Sequence, residues 1–306
     1  MPLHVIDAAE LERLLPMGVA IDALGEAFGA GRLPEAPLRS HVETRSGSLL
    51  LMPAHGDPGV GVKLVTLTEA NPGRGLPFLH AVYVLFEGQT QAPRAVLDGA
   101  ALTAIRTAAV SGLATRHLAR PDARRLVVYG AGVQARSHVA AMRAVRPLDN
   151  VVIVSRGRER AERLADEVSA SGLVASVGEP GAERDADLVC TCTTSATPVV
   201  RGELLPPGVH LNAVGAYTPS MRELDAEAVR RCRVVVETRE VAMAEAGDLL
   251  LAIGEGVVSP EHVLADLGEV VRGAAVRTSA EDRTLFKSVG AAFEDLVVAA
   301  AVVGRA

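Results

Sequence analysis

Residues 126–138 read LVVYGAGVQARSH, in which an apolar stretch runs into a glycine turn and a helical pattern follows. Gly130 permits a tight turn after a strand, and Gly132 lets backbone N–H groups approach a pyrophosphate at the N-terminus of a helix. Ala135 takes the third position of the G-x-G-x-x-G pattern, where a small residue suffices for close packing. The stretch therefore predicts a dinucleotide-binding turn.

The chain around this turn alternates between strands and helices. Its apolar stretches are RLVVYGAG, NVVIVSR, DADLVCTCTT, VHLNAVG and RVVVET, and helical patterns follow the first two. Near-continuous apolar strands that alternate with helices are typical of a parallel sheet covered on both faces. We predict an α/β fold, with a Rossmann-type doubly wound parallel sheet that binds a dinucleotide in residues 119–284.

A different pattern precedes this region. Short strand-like stretches separated by turn residues fill residues 38–97 and predict an antiparallel meander. A helix is predicted from about Thr103 to Leu118. The last helical pattern, at about 288–303, lies outside the strand–helix alternation and is expected to pack on the first domain. We therefore predict an α+β domain of residues 1–118, to which residues 285–306 return.

The composition restricts the class of function. The 306 residues carry a formal net charge of −6 and only 3% aromatic residues, which argues against a nucleic-acid surface and against base stacking. The N-terminus has no basic start followed by an apolar stretch, and no apolar run approaches the ~18 residues of a membrane span. Cys190, Cys192 and Cys232 form neither a disulfide set nor a zinc pattern, and we interpret Cys190 and Cys192, which alternate on a predicted strand, as buried thiols. The chain is expected to be a cytoplasmic globular protein.

The end of the second apolar strand indicates which dinucleotide is bound. An NAD site usually places Asp or Glu there, about 20 residues after the glycines, to accept from the ribose 2′-hydroxyl. Here Ser155 takes that position, and Arg156 and Arg158 follow it. A hydroxyl and two guanidinium groups suit a 2′-phosphate, so NADP(H) is favoured over NAD(H). For Arg158 alone, a solvated helix face is an equally good interpretation.

Four residues of the first domain are unusual for their positions. Arg39 and His41 lie two residues apart on a predicted strand, hence on one face. Lys63 interrupts the apolar stretch VGVKLVTL, and Arg106 falls in the first turn of the helix predicted from Thr103. Three cations gathered by the fold would bind a carboxylate, and the helix N-terminus would help. The alternative for Lys63 is protection of an exposed sheet edge.

Six motifs, in this order, give the sequence a resemblance to a known family: GVK, NPGRGLP, LTAIRTAA, GAGVQA, LNAVGAYTPSMRELD and TLFKSVGAAFEDL. The chain resembles the ornithine cyclodeaminase/μ-crystallin family over nearly its whole length. The resemblance implies a nicotinamide-binding Rossmann domain, a substrate domain that also forms a homodimer, and imine–amine chemistry on amino acids. Activities in the family include ornithine cyclodeaminase, alanine dehydrogenase and reductases of ketimines such as Δ1-pyrroline-2-carboxylate; μ-crystallin also binds thyroid hormone.

The resemblance also assigns site residues. It places Arg39, Lys63 and Arg106 at the substrate carboxylate. The positions that it gives to the cofactor are Val133 and Gln134 at the pyrophosphate, Ser155 and Arg156 at the ribose phosphate, and Thr193 or Thr194, Val214 and Ser288 near the nicotinamide, with Ser288 carried by the last helix.

The sequence departs from the family at two positions. Tyr217 stands where cyclodeaminases and archaeal-type alanine dehydrogenases carry a catalytic Asp, and it either lends its hydroxyl to the substrate or forms a wall. Leu50 stands near the position at which cyclodeaminases carry an acid that engages the second amine of ornithine. An uncharged residue there suits a small cyclic or alkyl imine instead. Asp225, in the same segment as Tyr217, is interpreted as the N-cap of the next helix.

These features predict a reductase of cyclic α-imino acids that uses NADPH and gives proline, pipecolate or a close analogue. The three cations would position the substrate carboxylate. Lys63 would protonate the imine, provided that burial and neighbouring cations lower its pKa. A water held by His41 or Tyr217 is the alternative donor. The cofactor carries the redox chemistry, so no metal is required.

Three alternatives remain. The first is a cyclodeaminase or amino-acid dehydrogenase on the same scaffold. The second is a protein of μ-crystallin type that binds NADPH and a small ligand without catalysis. The third is a two-domain reductase of a 2-oxo acid, which would use His41 as its general acid.

Overall fold

The computed structural model describes residues 3–306, which form two compact units. The first unit contains the described residues up to Arg106 together with Ala291–Ala306, and the second contains Thr107–Gly290. These limits differ from the predicted boundaries at 118/119 and 284/285. Both units are mixed α/β structures, and each contains one sheet.

The alternating apolar and polar stretches of the first unit form a six-stranded sheet. Its strands are β1 (His4–Ile6), β2 (Ser40–Thr44), β3 (Gly47–Gly56), β4 (Gly59–Leu67), β5 (Leu79–Phe86) and β6 (Pro93–Asp98). The order is β1-β6-β5-β4-β3-β2, in which consecutive strands from β2 to β6 are antiparallel neighbours. The predicted meander is confirmed. The short strand β1, which pairs parallel to β6, was not predicted.

The helices of the described chain are α1 (Ala8–Leu14), α2 (Met17–Gly29), α3 (Gly99–Leu118), α4 (Val133–Val145), α5 (Arg158–Ala170), α6 (Ala226–Arg231), α7 (Arg239–Glu245), α8 (Gly247–Gly254), α9 (Leu267–Val271) and α10 (Ala292–Val303). In the first unit, α10 packs against α2 and against strands β3, β4 and β5. Phe293 of α10 meets Phe28 of α2 edge to face, with ring centroids 5.4 Å apart. Such burial stabilises a helix that is apolar on most of its surface. The C-terminal helix therefore belongs to the core of the first unit.

The second unit contains an eight-stranded sheet in which every pairing is parallel. Its strands are β7 (Arg125–Tyr129), β8 (Asn150–Val154), β9 (Val174–Val177), β10 (Leu188–Thr191), β11 (His210–Ala213), β12 (Arg233–Val236), β13 (Val263–Asp266) and β14 (Thr284–Lys287). Their order is β13-β12-β14-β11-β10-β7-β8-β9. The strand order reverses between β7 and β10, which is where a doubly wound sheet opens a ligand crevice. The predicted Rossmann-type fold is confirmed.

Two predicted helix starts are wrong. Helix α3 begins at Gly99 rather than near Thr103, because the Asp98 carboxylate accepts a hydrogen bond of 2.9 Å from the backbone N–H of Ala101 and caps the helix. Helix α10 begins at Ala292 rather than near 288, because β14 and a short connection take up the preceding residues. Ser288 therefore lies in that connection and is not carried by the last helix.

Two interpretations of single residues are confirmed. Asp225 caps α6 by accepting from the backbone N–H of Ala228. Cys190 is buried as predicted, whereas Cys192 is only half-buried. Burial raises the pKa of Cys190, and that of the buried Cys232, to about 12, and it also raises the pKa of Cys192. These cysteines are not activated nucleophiles. Separately, none of the helices in residues 3–306 has the length and apolar character needed to cross a membrane.

Candidate functional site

The glycine turn after β7 has a backbone that only glycine adopts without strain. Gly130 has a φ of 116°, and its N–H donates to the carbonyl oxygen of Val154 at 2.8 Å. A Cβ at this position would lie 2.5 Å from the carbonyl oxygen of Cys192, which follows β10. The turn thus lies at the reversal of strand order, where the loops after β7 and β10 come together.

The N-terminus of α4 fits a pyrophosphate. Gly132 is the N-cap, no side chain of the described residues caps this end, and a Cβ at Gly132 would meet nothing within 4 Å. The next residue, Val133, is 60% exposed, whereas Ala135 is fully buried in the packing position. Gln134 is half-buried, and its carbonyl accepts from His138 Nδ1 at 2.7 Å. Open space in front of unsatisfied helix N–H groups is what an anionic group needs.

The end of β8 places the residues expected at the ribose. Ser155 is half-buried, and its hydroxyl oxygen accepts from the N–H of Gly157 at 3.4 Å. Arg156 is exposed and forms no hydrogen bond or ion pair within residues 3–306. Arg158 forms an ion pair of 2.9 Å with Glu162, one helical turn along α5. Arg156 is therefore available to a phosphate, while Arg158 fits the solvated helix face that sequence allowed.

A buried carboxylate organises the loops after β10 and β11. Glu223 accepts hydrogen bonds of 2.7 Å from the hydroxyl of Thr191, from the N–H and hydroxyl of Thr193, and from the N–H of Gly215. Burial raises the pKa of Glu223, and the negative charge of Asp248 raises it as the second cause. Thr193 thus holds its loop in place through Glu223, whereas Thr194 is exposed and Val214 is buried.

A second buried charged pair lies beside Glu223 in the same unit. Lys287, at the end of β14, forms an ion pair of 2.9 Å with Asp248 and donates to the carbonyls of Ala213 and Ala216. Asp248 in turn accepts from the N–H of Glu223 at 2.7 Å. These buried charges stand at the carboxyl ends of β11 and β14, beneath the loops predicted to contact the nicotinamide. Sequence reasoning missed all three charged residues, although Lys287 was visible as a cation in the apolar stretch TLFK.

Ser288 and Tyr217 also have defined partners in the second unit. Ser288 is buried, and its hydroxyl donates to Glu237 at 2.5 Å, while the N–H groups of Val289 and Gly290 donate to the same carboxylate. Tyr217 is half-buried and packs against the hydrophobic core of this unit. This environment agrees with a wall position for Tyr217.

The first unit contains a buried cluster of ion pairs centred on Lys63. The Lys63 ammonium donates to both carboxylate oxygens of Asp295, at 2.9 and 2.8 Å. Arg106 donates through Nε to Asp295 at 3.1 Å and through Nη1 to Glu294 at 2.9 Å. All four side chains are at most 5% exposed. Because β4 lies between β3 and β5, protection of a sheet edge is excluded as the role of Lys63.

The pKa of Lys63 is lowered to about 8, chiefly by burial and then by the positive charge of Arg106. Asp295 opposes both effects, while Arg39 adds a smaller lowering. Arg39 precedes β2 and is half-buried. Arg106 and Arg39 therefore both act on Lys63. Within the buried cluster Asp295 and Glu294 pair with Lys63 and Arg106, and Arg39 adds positive charge near Lys63, which suits the carboxylate of a ligand.

The other predicted residues of this unit fall outside the cluster or differ in placement. His41 is exposed on the edge strand β2 and takes no part in the buried ion pairs. Arg106 is the eighth residue of α3 rather than in its first turn, so the helix N-terminus does not assist it. Leu50 is buried on β3, which agrees with an uncharged environment.

Sequence reasoning missed Glu294, Asp295 and Tyr83. The signal for the first two was a pair of acids in the otherwise apolar stretch AFEDLVVAAAVV. Tyr83 stands opposite Lys63 in the pairing of β4 with β5; it is fully buried, and its hydroxyl has no hydrogen-bond partner among the described residues. Burial, and next the charge of Asp295, raise the pKa of Tyr83, so its hydroxyl keeps its proton.

Known proteins resemble this chain over its whole length. A Δ1-pyrroline-2-carboxylate reductase of Bacillus cereus is 38% identical over 315 residues, covering 99% of this chain and 96% of the relative. The structure of the Thermococcus litoralis Δ1-pyrroline-2-carboxylate reductase, in complex with NADH and L-proline, is similar with a TM-score of 0.94 at 34% identity, covering 99% of this chain and 97% of the other.

A further solved structure has the same fold. An archaeal alanine dehydrogenase dimer with bound NAD is similar with a TM-score of 0.94 at 33% identity, covering 100% of this chain and 96% of the other. The sequence profile described as the ornithine cyclodeaminase/mu-crystallin family matches residues 4–306. The resemblance seen in the motifs is thereby confirmed: the chain belongs to the ornithine cyclodeaminase/mu-crystallin family.

Proposed function

We propose that this protein is an NADPH-dependent reductase of cyclic α-imino acids, which converts Δ1-pyrroline-2-carboxylate or Δ1-piperideine-2-carboxylate to proline or pipecolate. The observation that carries the proposal is Lys63, a buried ammonium whose pKa is about 8, beside Arg106 and Arg39. Relatives that act on Δ1-pyrroline-2-carboxylate support the substrate class. The first unit is proposed as the substrate-binding and dimerisation domain, and the second as the cofactor domain.

In this proposal the first unit recognises an anion and supplies a proton. Arg39, Lys63 and Arg106 bind the substrate carboxylate and orient the ring. Reduction of C=N to CH–NH consumes one hydride and one proton. A reduced nicotinamide, when bound, supplies the hydride. A Lys63 ammonium with a pKa near the working pH holds a proton that it gives up readily to an imine nitrogen.

The second unit is proposed to hold the dinucleotide through groups at the carboxyl ends of its strands. The N–H groups after Gly132, including those of Val133 and Gln134, bind the pyrophosphate. Ser155 and Arg156 bind the 2′-phosphate of NADPH, since no Asp or Glu stands at the end of β8 to accept from a ribose hydroxyl. The loops of Thr193, Thr194, Val214 and Ser288 are proposed to surround the nicotinamide.

The competing activity is a cyclodeaminase or an alanine dehydrogenase, as in one of the similar structures. Tyr217 stands where both enzymes carry an acid, and Leu50, which is buried, stands near the position of a second acid in the cyclodeaminases. A non-catalytic protein that binds NADPH and a small ligand is the candidate from another class. A homodimer is proposed because a similar structure is a dimer.

The test follows absorbance at the nicotinamide band with purified protein. We expect rapid oxidation of NADPH with either cyclic imino acid, slower oxidation of NADH, and no conversion of ornithine to proline. Conversion of ornithine, or oxidation of the cofactor only with pyruvate and ammonium, would assign the protein to the competing enzymes. Tight NADPH binding without turnover on any imino acid would assign it to the binding proteins. Lys63→Met should lower kcat by about 10²–10⁴ and leave NADPH affinity unchanged.

A further inference from the structure

The C-terminal helix brings two carboxylates into the cationic cluster, and they have different partners. Asp295 contacts both Lys63 and Arg106, whereas Glu294 contacts only Arg106 of the two. Neither carboxylate has measurable exposure to solvent. A buried carboxylate bonded through both oxygens to one ammonium fixes the position of that ammonium and favours its charged form.

We propose that Asp295 is the positioning residue that holds the Lys63 ammonium in place and keeps it protonated at neutral pH, so that it is charged when the imino acid binds. The proposal deepens the proposed function and rests on it. Glu294 has a separate role in this proposal: it orients Arg106 without setting the protonation of Lys63.

The proposal depends on the charged and titratable groups around Lys63. Arg106 approaches from α3 and Arg39 from the segment before β2, and both disfavour the ammonium. Asp295 is the group that approaches from α10 and favours it. Tyr83 on β5 stays neutral, and Met52, opposite Lys63 on β3, carries no charge.

The sign of the effect follows from these neighbours. Burial and two guanidinium groups push the pKa of Lys63 down, and the Asp295 carboxylate pushes it up. Removing only the charge of Asp295 leaves the downward effects unopposed, so Lys63 loses its proton at lower pH. An opposite charge within hydrogen-bond distance shifts a pKa by about 1–3 units. In Asp295→Asn, at least about half of Lys63 is therefore neutral at pH 7.

The chain allows a direct measurement, because Lys63 and Lys287 are its only two lysines. Protein labelled with ¹³C at the lysine Cε carbon gives two lysine signals, and Lys63→Met or Lys287→Arg assigns them. We expect the Lys63 signal of the wild-type protein to titrate with a midpoint near pH 8 and that of Asp295→Asn to titrate about 1–3 pH units lower. Glu294→Gln is the matched control and should leave the midpoint in place.

Kinetics provide a second readout. The alkaline limb of the kcat profile should move with the Lys63 midpoint in Asp295→Asn and be restored by Asp295→Glu, while Glu294→Gln should raise KM for the imino acid and leave the limb unmoved. If Asp295→Asn does not fold, the aspartate carboxyl ¹³C signals of the wild-type protein are followed against pH instead. One of them should shift with the same midpoint as the Lys63 signal, and this shift should be absent in Lys63→Met.

An unchanged Lys63 midpoint in Asp295→Asn, or no aspartate signal that follows Lys63, would overturn the proposal. The lysine titration needs no turnover. A coupled titration in a protein that reduces no cyclic imino acid would therefore refute the proposed function while leaving the pairing of Lys63 with Asp295 established.

Discussion

Lys63 and Asp295 form two hydrogen bonds of 2.9 and 2.8 Å although 232 residues separate them in the sequence. One residue lies at the centre of a sheet, and the other lies in the first turn of the C-terminal helix. The cluster is thus assembled from two distant parts of the chain, and its charge state depends on both.

The ion pair should be visible in a double-mutant cycle of unfolding. Breaking a buried pair from one side leaves an uncompensated charge and costs about 3–5 kcal/mol. We expect Lys63→Met and Asp295→Asn to be strongly destabilising singly, and the double variant to be about 1–3 kcal/mol more stable than their sum. Urea unfolding measures all four proteins. Simple additivity would show that the two charges do not interact in solution.

Substitutions of the two glycines of the nucleotide turn should have different effects. Gly130→Ala forces a Cβ against the carbonyl of Cys192 at a positive φ, so it should destabilise the second unit. Gly132→Ala places its Cβ in open space, so thermal stability should be kept while NADPH affinity falls at least about tenfold, because that space is needed by the pyrophosphate. Thermal melts and fluorescence titration separate the two effects. An NADPH affinity in Gly132→Ala equal to that of the wild-type protein would show that the pyrophosphate does not bind at this turn.

The arginines after β8 should differ in their effect on cofactor choice. Arg156→Ala should weaken NADPH by about 10–100-fold, as expected for a lost charge-assisted hydrogen bond, and should leave NADH nearly unchanged. Arg158→Ala is the matched control, because Arg158 already pairs with Glu162 on the helix surface. The measurement is KM and Kd for both dinucleotides. Equal losses for NADPH and NADH in Arg156→Ala would refute the 2′-phosphate role.

Two buried histidines should make the second unit sensitive to mild acid. Burial lowers the pKa of His138 to about 4 and that of His210 to about 3. Below pH ~6.5 these histidines bind protons in the unfolded chain but stay neutral in the folded chain. Their contribution to the free energy of unfolding is therefore complete above that pH and is lost as the pH falls towards 4. Each histidine contributes about 1.4 kcal/mol per pH unit in that window.

Urea midpoints at pH 7.5, 6.5 and 5.5 measure this slope, and most carboxylates are still ionised over that range. His138→Gln should reduce the slope of the free energy of unfolding against pH by the contribution of that one histidine. An unchanged slope in that variant would show that His138 is protonated in the folded protein.

The fold could be predicted from the sequence because its signals are local. The apolar strand before Gly130, the alternation of strands with helices, and the turn residues of the meander each act within a few neighbouring residues. Helix starts were less certain, since Asp98 competes as a cap with the pattern that begins near Thr103. The strand β14 was missed because only two of its four residues, Leu285 and Phe286, are apolar, which is too few to show a strand pattern.

The candidate site could be predicted only in part. Lys63 and Arg106 were recognised as cations in apolar surroundings, but their partners Glu294 and Asp295 lie far along the chain. No periodicity links such distant residues, because only the packing of α10 on the sheet brings them together. The same holds for Glu223, whose four donors come from the end of β10 and from the loops after β10 and β11, which the parallel sheet places side by side.

The position of β14 has a consequence for how the protein is made. This strand is the last of its sheet in sequence, yet it lies between β11 and β12. A growing chain that has not reached Thr284 therefore carries β11 and β12 without their common neighbour, and each presents an open edge that invites pairing with another chain. Release of the nascent protein before that point should yield aggregates rather than a smaller soluble unit. An interior strand of this sheet is thus the last one to be synthesised.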